Sequence, residues 1–167
     1  MSDAKDVINK AISEHHDIKE TVDLSKDSLT DIEALFALRQ AYSSWTQCAP
    51  EDLKARQEQL LQVVKAVDRG LRGHWGFEEK AVEPLFGDAL MKGFVGEHGE
   101  IIRRMEAARK TLTEVKLEGL EQQELLTRKT VIQEAVNYAL QAIEEHSNHE
   151  EIIFKMVKKG TDAPSGP

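Results

Sequence analysis

Apolar residues recur along this chain at steps of three and four, and no stretch alternates with a period of two. Ala4, Ile8, Ala11, His15, Ile18 and Val22 form one helical stripe. Asp23 to Ser28 break it, and a helical run resumes at Asp31 toward Trp45. That stretch reads as an extra short helix near residues 31–46 lying against the others, or as a bent continuation of the first. Ala49-Pro50-Glu51-Asp52 reads as a helix start, with Pro and acids where a first turn favours them. From there Leu53, Leu60, Val64, Val67, Leu71, His74 and Glu78 keep one face, and Pro84 sets an end near Val82.

Gly87-Asp88 restarts a helix carrying Met91, Phe94, His98, Ile101, Met105, Ala108, Leu112 and Val115. Gly93, Gly96 and Gly99 weaken its first turns; they read as sites of close helix approach or as the mark of a later start near Glu97. After Leu117-Glu118-Gly119 the last helix runs through Leu125, Ile132, Val136, Ala139, Ile143, His146, Glu150, Ile153 and Val157, with a stop at Lys158-Lys159-Gly160. Four long helices with short connections predict an all-α, up-down-up-down four-helix bundle. Residues 1–160 are expected to form one domain and 161–167 a flexible tail.

The six histidines fall on these stripes: His15 with His16, His74, His98, and His146 with His149. A histidine in a core leucine's place needs a polar partner. His74 and His146 each have a glutamate at i+4, Glu78 and Glu150, on the same face. The sequence also echoes itself. Glu14-His15-His16-Asp17-Ile18 matches Glu97-His98-Gly99-Glu100-Ile101, and His74 to Glu79 matches His146 to Glu151. One such pair among 30 acidic residues is unremarkable. The conjunction on four helices predicts instead a carboxylate-bridged pair of metal ions, because cations relieve the charge of buried carboxylates. Imidazoles and carboxylates without thiolates suit iron, manganese or zinc. An octahedral ion in such a set keeps room for a bridging oxo or hydroxo group and an exogenous ligand.

Composition narrows the setting. A charged fraction of 31% with 5% aromatics fits a helical bundle, and the net charge of -8 argues against nucleic acid as a partner. The single cysteine, Cys48, excludes an internal disulfide framework, and the opening residues lack a signal-peptide core. No apolar run approaches the roughly 18 residues of a membrane span. A cytoplasmic protein without a membrane role is expected. Trp75, Phe77, Phe94 and Phe154 read as core or pocket wall, and Lys54-Ala55-Arg56 and Arg103-Arg104 as solvated faces.

The ordered series Glu-His-x-x-Ile, His-x-x-x-Glu-Glu followed by Pro, Glu-His-x-x-Ile again, and His-x-x-x-Glu-Glu-x-x-x-Phe, over about residues 8 to 158, resembles the hemerythrin-like, or HHE cation-binding, family. The resemblance implies a four-helix bundle with a non-heme di-iron centre that reacts with dioxygen, nitric oxide or peroxide. Carried over by position, the ligands are His15, His74, Glu78, His98, His146 and Glu150, both glutamates bridging. Ile102 stands where oxygen carriers have a further histidine, and their spacing selects Glu151; Glu150 fits the stripe and the echo better and ranks first. His149 is a partner of a ligand or a surrogate fifth ligand, and His16 exchanges with His15 under a register shift. The expected function is binding of dioxygen or nitric oxide for sensing, storage or detoxification, ahead of an enzymatic role. The alternative is a di-iron redox enzyme or an iron donor in repair of damaged iron-sulfur centres.

Overall fold

The computed structural model describes residues 6, 8, 9 and 22–162. Within them it forms α1 (Asp31–Thr46), a 3-10 turn (Pro50–Asp52), α2 (Leu53–Val82), a second 3-10 turn (Glu83–Leu85), α3 (Asp88–Glu114) and α4 (Gln122–Asp162), with no strand among the described residues. Each helix packs on the next in sequence, and α1 packs on α4 to close the ring. Cross-helix contacts give the directions. Gln57 binds the carbonyls of Leu112 and Val115 while Glu79 meets His98, so α2 and α3 run oppositely. Arg104 with Tyr138 and His98 with His146 do the same for α3 and α4. The chain is an all-α four-helix bundle.

Local signals account for the boundaries. Thr30 caps α1 by accepting from Glu33 N at 3.1 Å, and Glu33 reaches back to Thr30 N, so orphan amides at the helix start are satisfied reciprocally. Pro50 opens the 3-10 turn that leads into α2, and Pro84 lies in the turn just beyond Val82. Gly119 takes a φ of 69° in the connection to α4, a conformation that other residues adopt at a cost of about 1 kcal/mol.

The segment 31–46 is a bundle wall and not an accessory. Its Ala34, Leu38 and Trp45 sit in the main core with Leu60, Val64 and Leu71 of α2, Ile101 and Met105 of α3, and Ile132 and Ile143 of α4. Asp6, Ile8 and Asn9 are helical, and Ile8 is buried in a second cluster with Val82, Phe86, Phe94 and Phe154. Ala4, Ala11, His15 and Ile18 of the first stripe, and His16 beside it, lie outside the described residues. At the other end α4 runs through Lys158-Lys159-Gly160 to Asp162, because a helical glycine only weakens a terminus; residues 163–167 lie outside the described residues.

Glycine roles differ from the expectation. Gly93, Gly96 and Gly99 sit on the solvent face of α3, where an added Cβ would meet open space, so they mark neither close approach nor a late start. The close approach is on α2. A Cβ on Gly73 would lie 2.0 Å from the Asp27 carbonyl oxygen, and one on Gly70 would lie 2.4 Å from Leu29 Cγ. Leu29 N donates to Gly70 O at 2.9 Å, so these glycines dock the 27–29 segment on α2 and thereby fix where α1 begins.

Gly73→Ala is expected to destabilise the fold by about 1–3 kcal/mol, as overpacking against backbone does. Gly96→Ala, on open surface, should stabilise it by about 0.5–1 kcal/mol. Urea unfolding of both variants checks this, and equal midpoints would contradict the docking role.

Candidate metal centre

Glu78 of α2, His98 of α3, and His146 and Glu150 of α4 are all buried and each offers a ligand atom within 4.8 Å of the others, an arrangement that could hold a metal ion. They lie between the two apolar clusters, roofed by aromatic rings. Trp75 stacks on His98 with centroids 4.4 Å apart, and Phe94 meets the edge of the same ring at 4.5 Å. The helical repeat that buries Leu71 and Trp75 also turns Glu78 inward, as it turns His146 and Glu150 inward behind Ile143.

The ring orientations are fixed from outside. His98 Nδ1 lies 2.9 Å from Glu79 Oε1, and His146 Nδ1 lies 3.0 Å from Glu97 Oε1. A carboxylate accepts, so each Nδ1 carries a proton and each Nε2 points inward. The two Nε2 atoms are 3.0 Å apart. Two neutral rings so held would set lone pair against lone pair, so a proton or a cation belongs between them. Nitrogens bound to one ion at about 2.0–2.1 Å and at a right angle lie about 3 Å apart.

Carboxylates complete the crowding. Glu150 Oε2 is 3.1 Å from His146 Nε2, and Glu78 Oε2 is 2.9 Å from His74 Nε2, both without aligned hydrogen-bond geometry. Asp31, the first residue of α1, is 1% exposed and accepts from Trp75 Nε1 at 3.2 Å. Asp31 Oδ2, Glu78 Oε1 and Glu150 Oε2 are buried with no aligned donor among the described residues.

The titration of these groups follows from their neighbours. Burial, reinforced by the charge of His146, lowers the His98 ring from 6.5 to about 3. Burial also opposes charge on His146, yet its hydrogen bond to Glu97 and the charges of Asp31 and Glu97 outweigh this and raise it above the usual imidazole value. Burial, with the charges of Asp31 and Glu78, pushes Glu150 well above the usual carboxylate range. Burial would raise Asp31 too, but the charges of His146 and His74 hold it low. Without metal, retained protons on His146 and Glu150 keep the group together. A cation is the alternative to those protons.

Of the residues singled out in the sequence, His74, Glu78, His98, His146 and Glu150 are brought together, with His74 at the margin of the group. His15 and His16 fall outside the described residues. His149 stands outside the group; its side chain is 55% exposed and its Nδ1 meets Glu97 Oε2 at 2.7 Å. Glu151 is partly buried, with a carboxylate oxygen 2.8 Å from Lys155 Nζ. Phe77, expected as core or pocket wall, is 65% exposed, because it occupies the same outward position in α2 that His149 takes in α4. Asp31, Glu79 and Glu97 belong to the site without standing out in the sequence. The Thr30-x-x-Glu33 cap is the available signal that Asp31 opens a helix, and Glu79 and Glu97 flank residues that the helical stripes single out.

The other groove of note, bounded by Leu53, Gln57, Leu61, Leu112, Leu117 and Leu125, opens at the far end of the bundle and has no part in this chemistry. No helix among the described residues is long and apolar enough to cross a membrane. Comparison of the chain with family models, curated proteins and solved structures returned no match.

Cation uptake should release protons, since bound His146 and Glu150 must be deprotonated. Both have raised values, so affinity is expected to fall as pH drops through the raised His146 value, above 6.5. His98 competes only near pH 3. Calorimetric titration with zinc in buffers of different ionisation enthalpy measures the release; binding without it would contradict this arrangement.

Proposed function

We propose that the protein is a non-heme di-iron binding protein of the hemerythrin-like type, taking up dioxygen or nitric oxide at a carboxylate-bridged metal pair for sensing, storage or detoxification. The observation that carries the reading is the inward convergence of His98 Nε2 and His146 Nε2 at 3.0 Å beside buried carboxylates. Both rings are locked from behind by Glu79 and Glu97. Such partners orient a metal-binding histidine and raise its basicity. His98 and His146 would hold one ion and His74, with His15 by the family resemblance, the other, with Glu78 and Glu150 shared between the two.

Iron in a nitrogen and oxygen ligand set supplies redox capacity and open positions for small ligands. The chain's own contribution is a shielded pocket. Trp75 from one apolar cluster, and Phe94 packed with Phe86 and Phe154 from the other, enclose the histidine rings and keep bulk water away. Ligand atoms this deeply covered suit a diatomic molecule better than a large substrate. Manganese and zinc satisfy the same donors and are outcomes of the test.

One observation favours a second reading, a di-iron redox enzyme, with iron donation to damaged iron-sulfur centres as its non-catalytic variant. His149, Glu97 and His146 form an unbroken polar line from solvent to the buried rings, with steps of 2.7 and 3.0 Å. Such a line can carry a proton to the site during turnover.

Anaerobic reconstitution with ferrous iron, followed by iron counting and optical spectra before and after air or nitric oxide, separates the readings. Two irons per chain and a reversible charge-transfer band are expected. Repeated turnover or transferable iron would favour the second reading, and the absence of stoichiometric iron would contradict both. His146→Ala and Glu78→Ala should each abolish the band while the helical circular dichroism remains.

A further inference from the structure

Asp31 lies outside the ligand set read from the sequence, yet it is turned into the same group. An acid in the first turn of a helix ordinarily serves the helix dipole from the surface. Here the capping work is done by Thr30 and Glu33, and the Asp31 side chain is buried instead. Its Oδ1 is tied to the Trp75 indole at 3.2 Å, which leaves Oδ2 aimed inward, 3.8 Å from His146 Nε2. That oxygen has no aligned donor among the described residues.

Charge points the same way. Asp31, Glu78 and Glu150 are three buried carboxylates, and among the described residues their ion-pair partners are histidines alone. An unpaired buried carboxylate is strongly unfavourable, so three gathered at one point without a lysine or arginine call for a cation of higher charge. Hard divalent ions and zinc accept carboxylate oxygen alongside imidazole.

We infer that Asp31 is a further metal ligand, supplying Oδ2 from α1 so that all four described helices contribute to the centre. The inference rests on the metal-binding reading above. It also explains why the 27–29 segment is docked so tightly on Gly70 and Gly73: that docking sets the height at which Asp31 enters the bundle.

The test uses the full chain, its Asp31→Asn variant and zinc(II) alone as probe, followed by calorimetry. Asparagine keeps the shape and an acceptor for Trp75 while removing the charge and the second carboxylate oxygen. The variant is expected to lose one equivalent of zinc or to bind at least about tenfold more weakly. Equal stoichiometry and affinity in the two proteins would overturn the role of Asp31 while leaving the metal site intact. Failure of the unaltered chain to bind zinc, manganese or iron would overturn the metal reading and this inference with it. A zinc-loaded structure of the unaltered chain decides the matter independently of the variant's folding. Asp31 Oδ2 within about 2.2 Å of zinc supports the inference, and Asp31 left on Trp75 with zinc held elsewhere overturns it.

Discussion

Two imidazole nitrogens facing each other at 3.0 Å, with three carboxylates around them, are placed in the middle of an aliphatic and aromatic interior. In water such a group would disperse. In the bundle it cannot, because its members are fixed to four helices whose other buried residues pack in two apolar clusters on either side. Hydrophobic burial therefore holds together what electrostatics would separate, and the structure depends on a positive species at the centre, whether protons or metal ions. The opposite directions in which His98 and His146 titrate express that demand: the pair retains charge on one ring and refuses it on the other.

The surroundings serve this centre at several levels. Carboxylates behind the rings set the tautomers, Glu79 for His98 and Glu97 for His146. Burial and the charge of Glu78 raise Glu79, whereas its hydrogen bond with His146 comes first in holding Glu97 low, so the two rings have unequal partners. Trp75 links the levels: its indole face stacks on His98 while its N–H holds Asp31. Further out, Gly70 and Gly73 admit the chain segment that leads into α1. A change at a glycine that binds nothing itself can thus reach the centre through Leu29, Thr30 and Asp31.

Periodicity makes most of the fold legible, because amphipathic helices of this length write their buried face into the sequence at steps of three and four. The α3 stripe of Phe94, His98, Ile101, Met105, Ala108 and Leu112 is buried as read, and Pro84 marks the end of α2. The rank of 31–46 is less legible. Its apolar residues include small alanines, and only packing against α2 and α4 distinguishes a bundle wall from an accessory helix. Within the site, i to i+4 spacing discloses His146 with Glu150, since both ends lie on one helix. Asp31 stays hidden because its partners come from α2 and α4, and a single acid at a helix start carries a local explanation of its own. Phe77 misleads for the converse reason: an aromatic beside a buried stripe can equally stand on its outer edge.

If a cation takes the place between His98 Nε2 and His146 Nε2, the two rings must report its arrival together. Nitrogen-15 NMR of the histidine rings, recorded as zinc is added to the metal-free protein, observes those atoms themselves. The Nε2 resonances of both rings are expected to shift together to metal-bound positions while both Nδ1 atoms stay protonated against Glu79 and Glu97. Nε2 resonances of His98 and His146 unchanged by saturating zinc would contradict a cation at this centre.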